Sequence, residues 1–233
     1  MSNKKRKAKS VTKNDEYLKL FPEDQRNENE KIRYTALKEA QEIRKFEIDL
    51  YWRRTGFFWA FITIIYTALF ATLCKYIENT NYSFLAPVIS TLSGLGFFFS
   101  VAWHMINKGS KFWQNNWETH VSLLEKTEIG PLYDTYLNPK KTGSRLNPTK
   151  EYDYSVTKIN MWASFTILIC SLCGFLGTII WLLYCKKESL LFVLIPAAII
   201  SIFTILLIFL SNGNSDIELT ESESNDLTMI QIL

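Results

Sequence analysis

The first long uncharged segment of the chain reads Gly56-Phe-Phe-Trp-Ala-Phe-Ile-Thr-Ile-Ile-Tyr-Thr-Ala-Leu-Phe-Ala-Thr-Leu-Cys74. As a helix it is about long enough to cross the roughly 30 Å hydrocarbon layer of a bilayer. Trp52, Arg53 and Arg54 come just before it, and an aromatic residue beside cations is typical of a membrane interface. The segment therefore predicts a transmembrane helix.

Three further stretches, within 79–107, 159–185 and 190–215, are also long and uncharged. We predict four spans, near 56–75, 84–106, 159–184 and 189–211. The predicted fold class is an all-α, polytopic membrane protein with amphipathic helices outside the bilayer. The first apolar block begins too late to be a signal peptide, so the first span is expected to act as the insertion signal.

The basic residues are distributed very unevenly. Of the 26 Lys and Arg residues, 15 lie in 1–54 and eight in 107–158, whereas the two short loops hold only three. The positive-inside rule then places both termini in the cytoplasm. The predicted organisation is a basic tail (1–29), an amphipathic helix (30–55), a first transmembrane hairpin (56–106), a Trp-rich helix and loop (107–158), a second hairpin (159–211) and an acidic tail (212–233).

Two segments outside the spans predict cytoplasmic helices with an apolar face. In the first, Ile43 and Leu50 share a stripe with two alanines. The second follows Ser110, which could cap it, and its face carries Trp113, Trp117, His120 and Leu124. We expect the second helix to lie at the membrane interface or to pack on the first; a ligand-binding aromatic face is the alternative.

Small residues recur along the second span in two stripes: Ala86, Ser90 and Gly94, and Ser93, Gly96 and Ser100. Small side chains let helix backbones approach closely in lipid. We interpret these residues as packing between copies of the chain, although such stripes also pack helices within one chain.

The two ends of the chain carry opposite charge. The N-terminal cations Lys4, Lys5, Arg6 and Lys7, together with Arg53 and Arg54, predict contact with anionic lipid head groups rather than with nucleic acid. The acidic C-terminal segment predicts disorder. Alternatively, it pairs with the basic N-terminal region or recruits a soluble partner.

The sequence contains no recognisable catalytic constellation, metal site or cofactor motif. The Cys170-x-x-Cys173 spacing resembles a redox or metal motif, but inside an apolar helix it favours packing by small residues. Cys74 and Cys185 lie at the outer ends of their spans, where a bridge requires those spans to be neighbours. We therefore expect a protein that is not an enzyme and has no cofactor.

Two motifs resemble a known family. They are Tyr51-Trp52-Arg53-Arg54-Thr55-Gly56-Phe57-Phe58 and the block Trp103…Ser110-Lys111-Phe112-Trp113-Gln114-Asn115-Asn116-Trp117-Glu118, followed by Leu124-Glu125. Both resemble the RipA family of octameric bacterial inner-membrane proteins, over about residues 30–130. The resemblance implies an inner-membrane homo-oligomer, an octamer, with a role in bacterial adaptation and replication inside host cells.

Two alternatives stay open at the level of sequence. The paired spans with a basic cytoplasmic helix also resemble SLATT-type effectors of bacterial defence, which breach the membrane, although those usually have two spans. A gated pore is the related alternative, because Ser and Thr faces could line it. A membrane anchor that recruits a soluble partner is the third hypothesis.

Overall fold

The computed structural model describes residues 6–11, 32–78, 82–130, 132–133, 135, 152, 154–211, 217–218 and 229–232. Within them lie four long helices: α1 (Ile32–Glu78), α2 (Ala86–Glu128), α3 (Val156–Ile180) and α4 (Leu190–Leu210). A 3₁₀ turn, Ser83–Leu85, precedes α2, and a π-helical turn, Trp181–Cys185, follows α3. All four helices are long and apolar enough to cross a membrane. The predicted all-α polytopic fold with four spans is confirmed.

The second helix is longer than the sequence indicated. We expected a new helix after Ser110, but α2 runs unbroken from Ala86 to Glu128, so the predicted cap at Ser110 is wrong. Pro87 is tolerated because it stands in the first turn, where its missing N–H has no partner to lose. The helix ends before Gly130, whose φ of 83° suits glycine. The Ile129 and Gly130 N–H groups donate to the Glu125 carbonyl.

The chain divides into two compact units. The first comprises residues 1–46, 114–147 and 212–233, and the second comprises 47–113 and 148–211. In the first unit, α1 and α2 pack through a cluster of buried residues: Leu37, Ala40, Val121 and Leu124.

The first unit also contains three short strands: β1 (Arg6–Val11), β2 (Ile217–Glu218) and β3 (Met229–Ile232). Strand β1 lies in the centre, parallel to β2 and antiparallel to β3. The backbone of the basic N-terminal segment therefore pairs with that of the acidic C-terminal segment, where disorder was the main expectation and pairing the alternative.

The second unit holds the apolar parts of all four helices. A buried cluster in it joins α1, α2 and α4 with the π-helical turn, and consists of Leu69, Tyr76, Ala86, Ile89, Leu182 and Val193. At the same end, the Tyr76 hydroxyl donates to Glu188 Oε1 over 2.5 Å. Stacked rings reinforce the contacts between helices: Phe61 lies 5.6 Å from Phe99, and Phe97 lies 5.9 Å from Phe175.

Candidate functional site

A cluster of polar side chains lies buried among three helices of the second unit. Asn160 of α3 donates from Nδ2 to the Tyr51 hydroxyl at 2.5 Å, and more weakly to Thr55 Oγ1 and Asn107 Oδ1, both at 3.4 Å. All four residues are at most 6% exposed. Buried polar groups inside an apolar bundle fix one relative placement of the helices, because separation would leave them unpaired.

The polar cluster is not fully satisfied by protein atoms. Among the described residues, the Asn107 Nδ2 atom and the Nε1 atom of Trp103, one turn earlier on α2, are buried without a hydrogen-bond partner. Buried donors of this kind are the places where a buried water is normally found. Tyr51, Thr55 and Trp103 stand within the two motifs that resemble a known family, but nothing in the sequence singled out Asn107 or Asn160. A lone Asn at one end of an apolar stretch was the available signal.

The small residues of the second span are used inside one chain. All six lie buried. The Ser90 hydroxyl donates to the Val193 carbonyl at 2.8 Å, and Ser100 pairs with Ser171 of α3 at 2.8 Å. These contacts tie α2 to α4 and to α3. The observed contacts of this stripe therefore lie within one chain, and its packing between copies stays a prediction.

Glycines permit the closest approaches on the same helix. A Cβ atom at Gly94 would lie 2.9 Å from Ile200 Cδ1 and 3.1 Å from Phe175 Cε2. A Cβ atom at Gly96 would lie 2.8 Å from both Cζ and the hydroxyl oxygen of Tyr66. A side chain at either position would therefore require the neighbouring Ile200, Phe175 or Tyr66 side chain to shift.

In the first unit, a polar cluster borders the apolar contact between α1 and α2. Arg44 Nη2 lies 3.5 Å from Glu118 Oε1, and its guanidinium stands 5.2 Å from the centre of the Tyr133 ring. The fully buried Glu125 carboxylate accepts the Tyr133 N–H at 3.0 Å from both oxygens. Glu125 thus fixes the backbone that positions Tyr133 over Arg44.

The predicted interface residues outside the spans have different environments. Leu124 is buried in the α1–α2 contact, and Trp117 packs against it, half-buried. His120 is half-buried, and burial lowers the pKa of its imidazole because the neutral ring is easier to desolvate than the cation. Ile43 and Leu50 are also half-buried. Leu37, which the sequence analysis did not single out, is more deeply buried than either.

Trp113 differs from these residues, because 49% of its surface is exposed. It lines a groove in the second unit together with Arg54 and Ser110. Arg54 Nη1 donates to Ser110 Oγ at 3.3 Å, whereas Arg53 pairs with Asp49 at 2.8 Å. Of the other residues predicted to contact head groups, Lys4 and Lys5 lie outside the described residues. Arg6 and Lys7 are described only as backbone in β1.

The cysteines form neither a bridge nor a metal site in the described part of the chain. Cys74, Cys170, Cys173 and Cys185 are all free and exposed, so Cys74 and Cys185 are not bonded to each other. No group of three His, Cys, Asp or Glu residues within the described segments could hold a metal ion.

Four apolar helices, polar groups turned inward and long charged helical extensions define a multi-pass helical membrane protein. The chain belongs to the octameric membrane protein family (8xMP), whose family model matches residues 34–181. The predicted resemblance to an octameric membrane family is thereby confirmed, and the protein is a homo-oligomer of the membrane. No curated protein and no solved structure matches the chain significantly.

Proposed function

We propose that the protein is a non-enzymatic scaffold of the bacterial cytoplasmic membrane, in which assembled copies present their packed α1 and α2 extensions to the cytoplasm. One observation carries this proposal. Past the uncharged stretches, α1 and α2 continue as charged helices that pack on each other through Leu37, Ala40, Val121 and Leu124. Each copy in an oligomer would contribute one such pair of helices, so the assembly would present several identical surfaces outside the apolar spans.

The distribution of charge supports the orientation. The segments 1–54 and 107–158 hold 23 of the 26 Lys and Arg residues. Cations close to the ends of spans are retained on the cytoplasmic side during insertion. The packed extensions and both termini would then lie in the cytoplasm, and Cys74 and Cys185 would lie on the opposite side.

The arrangement of polar groups favours a scaffold over a pore. The side chains that hydrogen-bond between the spans, such as Ser90, Ser100 and Asn160, are buried inside the chain. Most large side chains that the spans expose are apolar, and apolar surface suits lipid or another apolar helix better than a water-filled channel.

Labelling with a membrane-impermeant maleimide tests the cytoplasmic platform. Two single-cysteine variants are compared: one keeps only Cys185, and the other carries only Asn115→Cys, at an exposed position of α2. In intact bacterial cells we expect the reagent to label Cys185 and to spare Asn115→Cys, while both are labelled after lysis. Labelling of Asn115→Cys in intact cells would overturn the orientation and with it a cytoplasmic platform.

A further inference from the structure

A groove of about 490 Å³ lies where three spans end in the second unit. It is lined by Arg54 at the start of the first uncharged stretch, by Ile106, Ser110 and Trp113 at the end of the second, and by Leu207 and Ser211 at the end of α4. Because all three spans change from apolar to polar here, the groove lies at the level where a bilayer passes from acyl chains to head groups.

The polar part of the groove carries one positive charge that no acidic side chain of the described residues neutralises. Among the described residues Arg54 has no carboxylate partner, and its guanidinium donates only to Ser110 Oγ, at 3.3 Å. The adjacent Arg53 lies outside the groove and pairs with Asp49 at 2.8 Å. A guanidinium presents a planar fork of donors that matches the oxygens of a phosphate. Arg54 is therefore available to an anion in a way that Arg53 is not.

Apart from Ser211, the remaining walls of the groove are largely apolar. Ile106 and Leu207 also line the groove, and each belongs to the apolar part of its span. A free phosphate ion would gain nothing from these walls, whereas an acyl chain would cover them. Trp113 adds an indole, which is favoured at the boundary between acyl chains and head groups.

We propose that this groove is a binding site for one anionic phospholipid, whose phosphate contacts Arg54 and Ser110 and whose acyl chain lies along Ile106 and Leu207. A net anionic lipid is favoured over a zwitterionic one, because the described lining has a cation and no carboxylate to receive an ammonium group. The site is a property of one chain and does not depend on the scaffold function proposed above.

The charge contribution is tested by native mass spectrometry of the full-length protein in mild detergent. Phosphatidylglycerol, phosphatidylethanolamine with the same acyl chains, and inorganic phosphate are added in separate titrations. The wild type is expected to retain phosphatidylglycerol in preference to the other two. Arg54→Gln is expected to weaken that binding about tenfold, the scale of one charge-assisted hydrogen bond, and Arg53→Gln to leave it unchanged.

The groove itself is tested by filling it. Gly109 lines the groove, and a Cβ atom there would meet no atom within 4 Å. Gly109→Leu therefore occupies the space without removing the charge, and it replaces a poor helix former with a good one. We expect it to abolish the phosphatidylglycerol adduct. Gly174→Leu is the matched control, because Gly174 is equally open and lies outside the groove.

Three results would overturn the proposal. Equal losses for Arg54→Gln and Arg53→Gln would mean that the lipid responds only to net charge. Retention of the lipid by Gly109→Leu would place it elsewhere on the surface. Binding of inorganic phosphate with the same dependence on Arg54, and no preference for phosphatidylglycerol, would identify an anion site without a lipid. Circular dichroism of each variant confirms that the helices are retained.

Discussion

At the scale of single residues, the spans are held together by small side chains and by a few polar groups. Gly96 lets α2 approach Tyr66 of α1, and a Cβ atom there would lie 2.8 Å from the ring. Without a hydrophobic drive between helices in lipid, such close contacts supply much of the attraction. A substitution at such a glycine should therefore destabilise the protein.

A matched pair of alanine substitutions tests this view. Gly96→Ala should destabilise the protein by about 1–3 kcal/mol, because the new methyl group forces Tyr66 or the helix to move. Gly174→Ala should be neutral or stabilising by up to ~1 kcal/mol, because Gly174 has open space around it and alanine favours a helix. Thermal unfolding in detergent measures both. Equal thermal unfolding midpoints for the two variants would show that the close contact between Gly96 and Tyr66 does not contribute to stability.

The hydrogen-bond partners of the buried polar residues could not be predicted from the sequence. The hydrogen bonds of Asn160 reach Tyr51 on α1 and Asn107 on α2, far away in sequence. A lone Asn in an apolar segment signals a buried contact, but not which helix supplies the partner. The same limit applies to the stripe of Ala86, Ser90 and Gly94, because small residues predict a close approach without saying whether the partner belongs to the same chain.

At the scale of elements, the positions of the spans could be predicted well. Twenty or so uncharged residues dictate a helix across lipid, because no other structure satisfies the backbone there. Each of the four predicted spans accordingly overlaps one of the helices α1 to α4. The unbroken passage of α2 through Ser110 could not be predicted, because its Lys and Ser residues suit a helix start as well as a helix interior.

Helix α1 has an exposed face that is well suited to contact between copies. Small residues follow one another on it at helical spacing, and all are exposed in the single chain: Gly56, Ala60, Thr63, Thr67, Ala71 and Cys74. With the small residues of α2 already used inside the chain, and with self-association a property of the family, we expect a second copy to pack against this face of α1.

A bulky side chain on that face should interfere with assembly. Ala60→Trp is expected to lower the fraction of assembled protein strongly, because the indole keeps the backbones of two copies apart. Ala198→Trp, at an exposed alanine of α4, is expected to leave assembly unchanged. Crosslinking in native membranes followed by gel electrophoresis measures the fraction. Assembly that survives Ala60→Trp, or falls equally in both variants, would place the contact on another face.

At the scale of the whole molecule, the chain combines four apolar spans with packed, charged extensions of α1 and α2. The match to an octameric membrane family covers residues 34–181, which include those packed helices, the first two spans and most of the third. The family relationship therefore concerns the extensions as well as the membrane part. An assembled ring would bring eight pairs of extensions together, which is the property that the proposed scaffold needs.

Native mass spectrometry of the wild-type protein, released from a mild detergent, tests the central claim most directly. The chain mass is 27.2 kDa, so each added copy is resolved without ambiguity. We expect one dominant species of eight copies, retained over a range of protein concentrations. A protein that is released only as a monomer or dimer under the gentlest conditions would contradict the homo-oligomeric scaffold.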